Sequence, residues 1–507
     1  MITDTKKVIK PIILLLCLAI AFTFQSCKKS RSDMGKTLFQ KTKNKVYKDV
    51  TPEGFEPVFK KMLADEREKL DNPQTITAFY EQNGYDPIFV MDHIINGELT
   101  ASHFLMAGDH GLDPRMFKAQ EIDALMKKVD DKKGVKTLDD AYRAIAELEL
   151  LTANSLIKYS NAMKYGVLNP KKIYARYYIE TKRPDSSDMT AVFKAGNLKN
   201  YLDSIQPKDV NYTTIQKALK EGVQAPSMSK EETRRFFIVN LERLRWKNKP
   251  TEKKYVIVNI PDYMLNVMEN GKSVISMKVC VGEGRNKEDI KSLINYDQGD
   301  AIDQPFSHET PQLNSMIHSA DVNPIWNIPK SIANKEIMVE AAKDRYYLAN
   351  KNIRVYKDGN EIDDPEDIDW SSAEKDGSYE FKQRPGDENA LGKIKFLFNN
   401  KSSVYLHDTP AKLPFTKPMR AVSHGCVRVG DPQGLARSLF GEGDKYNMIV
   451  KKMAEDNPAP TTISLSPKVP VYLTYVTAWA NNGKVEVRKD VYGLDIVLYA
   501  NLQKLTD

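Results

Sequence analysis

The feature that most constrains this chain is a change of period near Lys249-Pro250. From about residue 52 to 245 apolar residues recur three and four apart, with short polar breaks, which places them on one face of successive α-helices. The runs from Asp140 to Leu151 and from Glu231 to Trp246 carry this most plainly, and Thr137 ahead of Asp140 fits an N-terminal cap. Past Lys249-Pro250 the period falls to two. Tyr255 to Pro261 and Tyr263 to Met268 alternate across a Pro-Asp turn, and Asn270-Gly271 predicts a hairpin into the strand that carries Cys280. A chain that switches period once in this way is expected to be α+β and multidomain, helical first and mostly β afterwards. Its 507 residues leave room for two to four domains with sizeable cores.

Composition enters through what it excludes. The chain is 41% hydrophobic and 28% charged, an ordinary globular balance. Its net charge of +7 is scattered rather than clustered, so no nucleic-acid partner is expected. At the N-terminus Lys6, Lys7 and Lys10 precede an apolar run from Pro11 to Phe24, too short for a comfortable membrane span. Residues 1–27 therefore read as an export signal, and Phe24-Gln25-Ser26-Cys27 resembles a bacterial lipoprotein cleavage site with Cys27 as the lipidated residue. Residues 28–51 are basic and polar without an apolar period and read as a tether. Of the four cysteines, Cys17 would leave with the signal and Cys27 would carry lipid; Cys280 and Cys426 remain, and a disulfide framework is excluded. Cys280 lies in an alternating, strand-like run and is expected to be hidden, whereas Cys426 lies in a glycine-containing turn with polar neighbours and is expected to be reactive.

That turn is Ala421-Val422-Ser423-His424-Gly425-Cys426-Val427-Arg428-Val429, with His407 upstream in Val404 to Pro410. A thiol with an ordinary pKa of roughly 8.5 needs a base or a positive field to attack near neutrality, and a histidine supplies the base. Gly425 permits a tight turn whose amides could face a developing oxyanion. Arg428 could grip a substrate carboxylate with two hydrogen bonds. Taken singly, a cysteine is more often a small buried hydrophobe; two histidines and a cysteine could also ligate zinc, but no fourth ligand stands at zinc-like spacing.

As a whole the pattern resembles the signature of the L,D-transpeptidase (YkuD-type) catalytic domain: a histidine, a spacer (here Asp408 to Val422), then Ser-His-Gly-Cys and an apolar residue followed by arginine or asparagine. The segments Ala107 to Pro114 and Glu149 to Pro170 resemble the helical scaffold domain of the large multidomain branch of that family. His110 sits in a turn without a partner motif and is expected to be structural. A small peptidoglycan-binding module common in that branch is not found, since Val210 to Ser229 is too short to hold one. Asn323 to Pro329, with Trp326, and Gln383 to Phe396, with Asn389 and Gly392, match family segments beside the cleft; Trp326 is expected to pack. The polar stretch from Asn286 to Glu309 is a surface loop or insertion with no assigned function. Asp431 to Leu439 is expected to be a helix with Pro432 in its first turn, a start that would favour a thiolate if it lay near Cys426.

The resemblance implies a helical scaffold domain over 52–248, a mostly β catalytic domain over 249–452 with a substrate-capping insertion at 331–382, and a C-terminal extension over 453–507. It implies a peptidoglycan L,D-transpeptidase in cell-wall biogenesis, an acyltransferase forming 3-3 cross-links between a tetrapeptide donor stem and a diamino-acid acceptor stem. Cys426 would be the nucleophile, His407 the general base and Gly425 the oxyanion-hole backbone, with Ser423, His424, Arg428, Asp408, Trp326 and Asn389 in supporting or substrate-binding roles. No metal or organic cofactor is implied, and carbapenem β-lactams are expected to acylate Cys426. The chain would work at the periplasmic face, held on a membrane by a lipid on Cys27. The same thioester could instead go to water, making an L,D-carboxypeptidase, or to a protein lysine; from another class, the domain could be a non-catalytic wall-binding scaffold.

Overall fold

A computed structural model describes residues 33–97, 99–226, 228–284, 308–373 and 378–506. The proposed export signal and Cys27 lie outside the described residues, as does the 286–309 loop up to residue 307.

The N-terminal half is helical and is built around the 28-residue helix Leu138–Tyr165, capped by Thr137, whose hydroxyl accepts the Asp140 amide at 3.1 Å. Buried side chains from Met34 to Leu202 form one core around it. The chain joins that core earlier than expected. Residues 34–50 are not a tether: Met34–Thr42 is a helix, Lys45–Asp49 a short 3-10 turn, and Met34, Leu38, Tyr47 and Val50 are buried. Tyr47 donates to the Val129 carbonyl at 2.9 Å and Asn44 to the Val135 carbonyl at 2.9 Å, so even the polar residues of this stretch have inward partners. Its i, i+4 pair Met34/Leu38 is too short a run to stand out among lysines.

The second half is organised by eight strands: β1 Lys254–Asn259, β2 Met264–Glu269, β3 Lys272–Gly282, β4 Gln312–Val322, β5 Ile394–Phe398, β6 Leu406–His407, β7 Val427–Val429 and β8 Thr461–Thr474. They pair in the order β4-β5-β6-β7-β3-β2-β1-β8, and β8 pairs back onto β4, so the ladder closes on itself. Asn270 and Gly271 turn from β2 into β3 with φ of 49° and 78°, the double left-handed geometry of a two-residue hairpin. The 453–507 segment is not an appended extension. β8 pairs along nine residues of β4 and along Val256 to Asn259 of β1, and Tyr492, Leu494 and Leu498 enter the same core as the strands.

The two halves share structure. Tyr177–Tyr178 adds in parallel to Gln312 and Leu313 of β4, and Ile173, Tyr174, Ile238 and Trp246 pack into the β core. Arg243, on the helix Lys230–Arg245, is buried and paired with Asp495 at 2.5 Å, while Asn240 exchanges hydrogen bonds with Thr477. Breaking such a buried pair from one side leaves an uncompensated charge.

Between β4 and β5 the chain leaves the ring. Short strands Trp326–Asn327, Ile353–Lys357, Asn360–Glu361 and Tyr379–Gln383 form a separate four-stranded sheet. A small core of Ile332, Ile337, Met338, Leu348, Val355, Trp370 and Phe381 holds it together. Its helix changes pitch midway: Lys330–Ile332 is α, Ala333–Ile337 is a π turn, and Met338–Lys343 is α again.

Candidate active site

β6 and β7 lie side by side and parallel, with Leu406 opposite Val427 and His407 opposite Arg428. Alternation then sorts the side chains. Leu406 and Val427 point into the apolar core, while His407 and Arg428, together with Tyr405 and Cys426 just ahead of each strand and two residues earlier, share the other face. The register continues outward as one row: Asp321 opposite Lys395, Lys395 opposite His407, His407 opposite Arg428, and Arg428 opposite Cys280.

His407 is buried at 5% exposure, and its Nδ1 makes a 2.5 Å hydrogen bond with the Asp408 carbonyl. That bond fixes the ring and, with Nδ1 as donor, leaves Nε2 as the basic atom. Burial, then the neighbouring Arg428 guanidinium, pushes the imidazole down to about 4, so it is neutral and able to take a proton. Asp408 is itself clamped. Its carboxylate accepts the Lys393 amide at 3.0 Å and the Lys412 ammonium at 2.6 Å. A Cβ on Gly392 would fall 2.4 Å from it, so the glycine (φ +60°) makes room for the carboxylate.

Cys426 is half-buried. Burial raises its thiol pKa; the Tyr405 amide and phenol, then Arg428 and Lys395, pull the other way. Tyr405 packs edge-on to His407 with ring centroids 5.5 Å apart. The resting pair is thus a neutral thiol near a neutral imidazole. No hydrogen bond joins them among the described residues.

The loop ahead of Cys426 is held by its own polar groups. Ser423 Oγ donates to the Cys426 carbonyl at 2.5 Å and accepts the Gly425 amide at 3.2 Å. Gly425, at φ +111°, occupies backbone space that other residues rarely enter. Its carbonyl accepts the buried Thr310 hydroxyl at 2.8 Å, which in turn accepts the Gly282 amide at 2.8 Å. The Gly425 amide is therefore engaged, whereas the Cys426 amide has no protein acceptor among the described residues. His424 faces outward, its Nε2 2.5 Å from Glu336 Oε1.

The expected residues separate into two places. Cys426, His407, Arg428, Asp408, Gly425 and Ser423 converge, with His424 at the margin. Trp326 and Asn389 do not join them: Trp326 packs on the core of the inserted sheet. Asn389 is buried where that sheet meets the ring, donating to the Pro324 and Arg384 carbonyls at 3.0 and 2.9 Å. The helix Pro432–Phe440 forms as expected, with Asp431 accepting the Gly434 amide at 2.8 Å, but β7 intervenes, so its N-terminus is not at the thiol. Cys280 is fully buried, with burial raising its thiol pKa. Tyr405 and Thr310 escaped sequence reasoning. Tyr405 stands two before His407, the period-2 spacing that shares a face, and could have been found that way; Thr310 had no such signal.

Residues 253–440 match the L,D-transpeptidase catalytic domain family (YkuD), and residues 74–219 match the scaffold domain family. A curated relative from Haemophilus influenzae, named "Putative L,D-transpeptidase", is 28% identical over 324 residues. The match takes in 64% of this chain and spans 61% of the relative's length. Among solved structures, an L,D-transpeptidase from Mycobacterium smegmatis aligns with 44% of this chain and 58% of its own at 12% identity and a TM-score of 0.20. The chain carries a catalytic domain of the YkuD L,D-transpeptidase family, preceded by a scaffold domain.

Proposed function

We propose that this chain is a peptidoglycan L,D-transpeptidase that makes 3-3 cross-links through a thioester on Cys426. The observation that carries the reading is the shared strand face: a half-buried thiol, a buried neutral imidazole with Nε2 uncommitted, and a guanidinium, Arg428, that has no carboxylate partner among the described residues.

Cys426 Sγ attacks the carbonyl that links the third residue of a donor stem to its terminal D-Ala. Because burial disfavours the thiolate, the proton leaves as the bond forms, passing to His407 Nε2. The two residues must close to hydrogen-bond range with substrate in place, as catalytic pairs without ligand commonly do. The Cys426 amide is the free donor for the oxyanion; the Gly425 amide must first give up Ser423 Oγ. The C–N bond to D-Ala breaks, His407 returns the proton to the leaving amine, and a thioester remains. The side-chain amine of a second stem then attacks, His407 takes its proton, the C–S bond breaks and the thiol is restored. Arg428 is positioned to hold a stem carboxylate. In the same reading residues 1–27 export the chain and Cys27 anchors it at a periplasmic membrane face, which a Cys27→Ala variant checks by loss of labelled fatty acid and release from membranes.

The experiment is mass spectrometry of products after mixing protein that begins after Cys27 with disaccharide-tetrapeptide, beside Cys426→Ala. A dimer lacking one D-Ala, absent with the variant, is expected. Free tripeptide alone would make the chain an L,D-carboxypeptidase, a product on protein lysine an anchoring transferase, and no acylation by a carbapenem a non-catalytic domain.

A further inference from the structure

The inserted sheet and helix reach the nucleophile loop through Glu336. Glu336 sits on the π turn Ala333–Ile337, a pitch defect that helices rarely keep unless it places something. Its Oε1 lies 2.5 Å from His424 Nε2. The His424 ring also meets His308 edge-on, with centroids 4.5 Å apart, and His308 Nδ1 bonds Glu283 Oε2 at 2.9 Å. Glu283 also donates its amide to the Ser423 carbonyl at 2.9 Å. His424 is therefore boxed between the insertion and the end of β3, two residues before the thiol. The other named anchors of this loop, Thr310 and Ser423, come from the catalytic ring itself. A half-exposed polar contact is worth little to stability, so this one is better placed to set geometry than to hold the fold.

We propose that Glu336 is a positioning residue: through His424 it docks the insertion over the nucleophile loop, and the docked insertion governs access of water to the Cys426 thioester. The inference rests on the transpeptidase reading only for its second half. Docking restricts the loop whatever the reaction, and shielding a thioester favours an amine acceptor over hydrolysis.

The test uses the protein beginning after Cys27, as wild type, Glu336→Ala, Glu336→Gln, His424→Ala and Glu336→Ala/His424→Ala. Losing one hydrogen bond to a half-exposed partner, about 1 kcal/mol, converts to roughly a fivefold change. Glu336→Ala should raise the rate of Cys426 alkylation by iodoacetamide about fivefold, and the tripeptide-to-dimer ratio about fivefold, with the thermal midpoint unchanged. Glu336→Gln, which keeps an acceptor oxygen, should restore both values. The double variant should match His424→Ala. Alkylation that is equal in wild type and Glu336→Ala, or additive effects in the double variant, would overturn the docking whether or not a dimer forms. Faster alkylation with an unchanged product ratio would overturn the control of water. If no variant, wild type included, forms product, the alkylation rates still decide the docking while the transpeptidase reading fails alone.

Discussion

A half-buried histidine and a fully enclosed one have the same perturbed titration in this molecule. His110 in the helical half and His407 on β6 are both pushed down to about 4, by burial first and then by an adjacent arginine, Arg245 or Arg428. What separates them is completeness. His110 is met by the Tyr212 hydroxyl at 2.9 Å and the Gln216 amide at 3.1 Å; Arg245 pairs with Glu242 at 2.8 Å and donates to the His110 carbonyl and Tyr212. His407 is tied at Nδ1 alone, Arg428 has no carboxylate partner among the described residues, and a thiol stands just ahead of the next strand. Burial shifts a pKa at either place. A site is marked by the valences the fold leaves open.

The largest test of this contrast is to remove each ring. His407→Ala should lower cross-linking turnover by about a thousandfold, the order expected for a general base. His110→Ala should leave turnover within about twofold while costing roughly 1–2 kcal/mol of stability by stripping Tyr212 and Gln216 of a partner. A large activity loss from the His110 variant would break the comparison.

On stability the two should behave as equals. Each has a folded value below the unfolded 6.5, so between pH 6.5 and about 4 the unfolded chain takes up a proton that the folded chain refuses. The stabilisation is whole above pH 6.5 and is lost as pH falls through that window, by at most roughly 3 kcal/mol per ring. Glu149 and Asp490, both raised to about 7 by burial, oppose this: they stabilise at low pH and lose that contribution as pH rises through 7. Denaturant melts from pH 7 to 4 should show that each histidine variant lessens the acid loss by a similar amount.

Arg428→Ala sharpens the electrostatic half. KM for the donor stem should rise about tenfold if a carboxylate is lost there, and with the positive charge gone the His407 pKa moves up from about 4, so the acid limb of the rate profile shifts to higher pH. The smallest effect is expected for Tyr405→Phe. Losing the phenol raises the thiol pKa further, and alkylation of Cys426 at neutral pH should slow about threefold.

Much of the site was legible because its chemistry is concentrated in a short motif: Cys426, Arg428 and His407 were named from spacing, and the structure brings them together. The supporting cast was not. Trp326 packs as expected, but on the core of the inserted sheet, and Asn389 ties its turn to the junction of that sheet with the ring, a place that likeness of segment does not specify. Thr310 reaches Gly425 across a contact 115 residues long, which no local pattern records. The change of period at Lys249-Pro250 locates the halves, and strand character resumes past Pro458, but residues 34–50 read as a tether and β8 as part of an extension for one reason. Short apolar runs flanked by charge or proline look peripheral until the partner that buries them is known.

The closure of the ring by β8 carries a consequence for timing. Every group of the site has left the ribosome by Arg428, yet β4 and β1 both wait for a strand that is made more than thirty residues later. Until it arrives, the sheet has two open edges, the kind that stray chains pair with. A chain still being made thus holds its thiol and imidazole on an unfinished frame, and the ring that supports them closes only once β8 has followed.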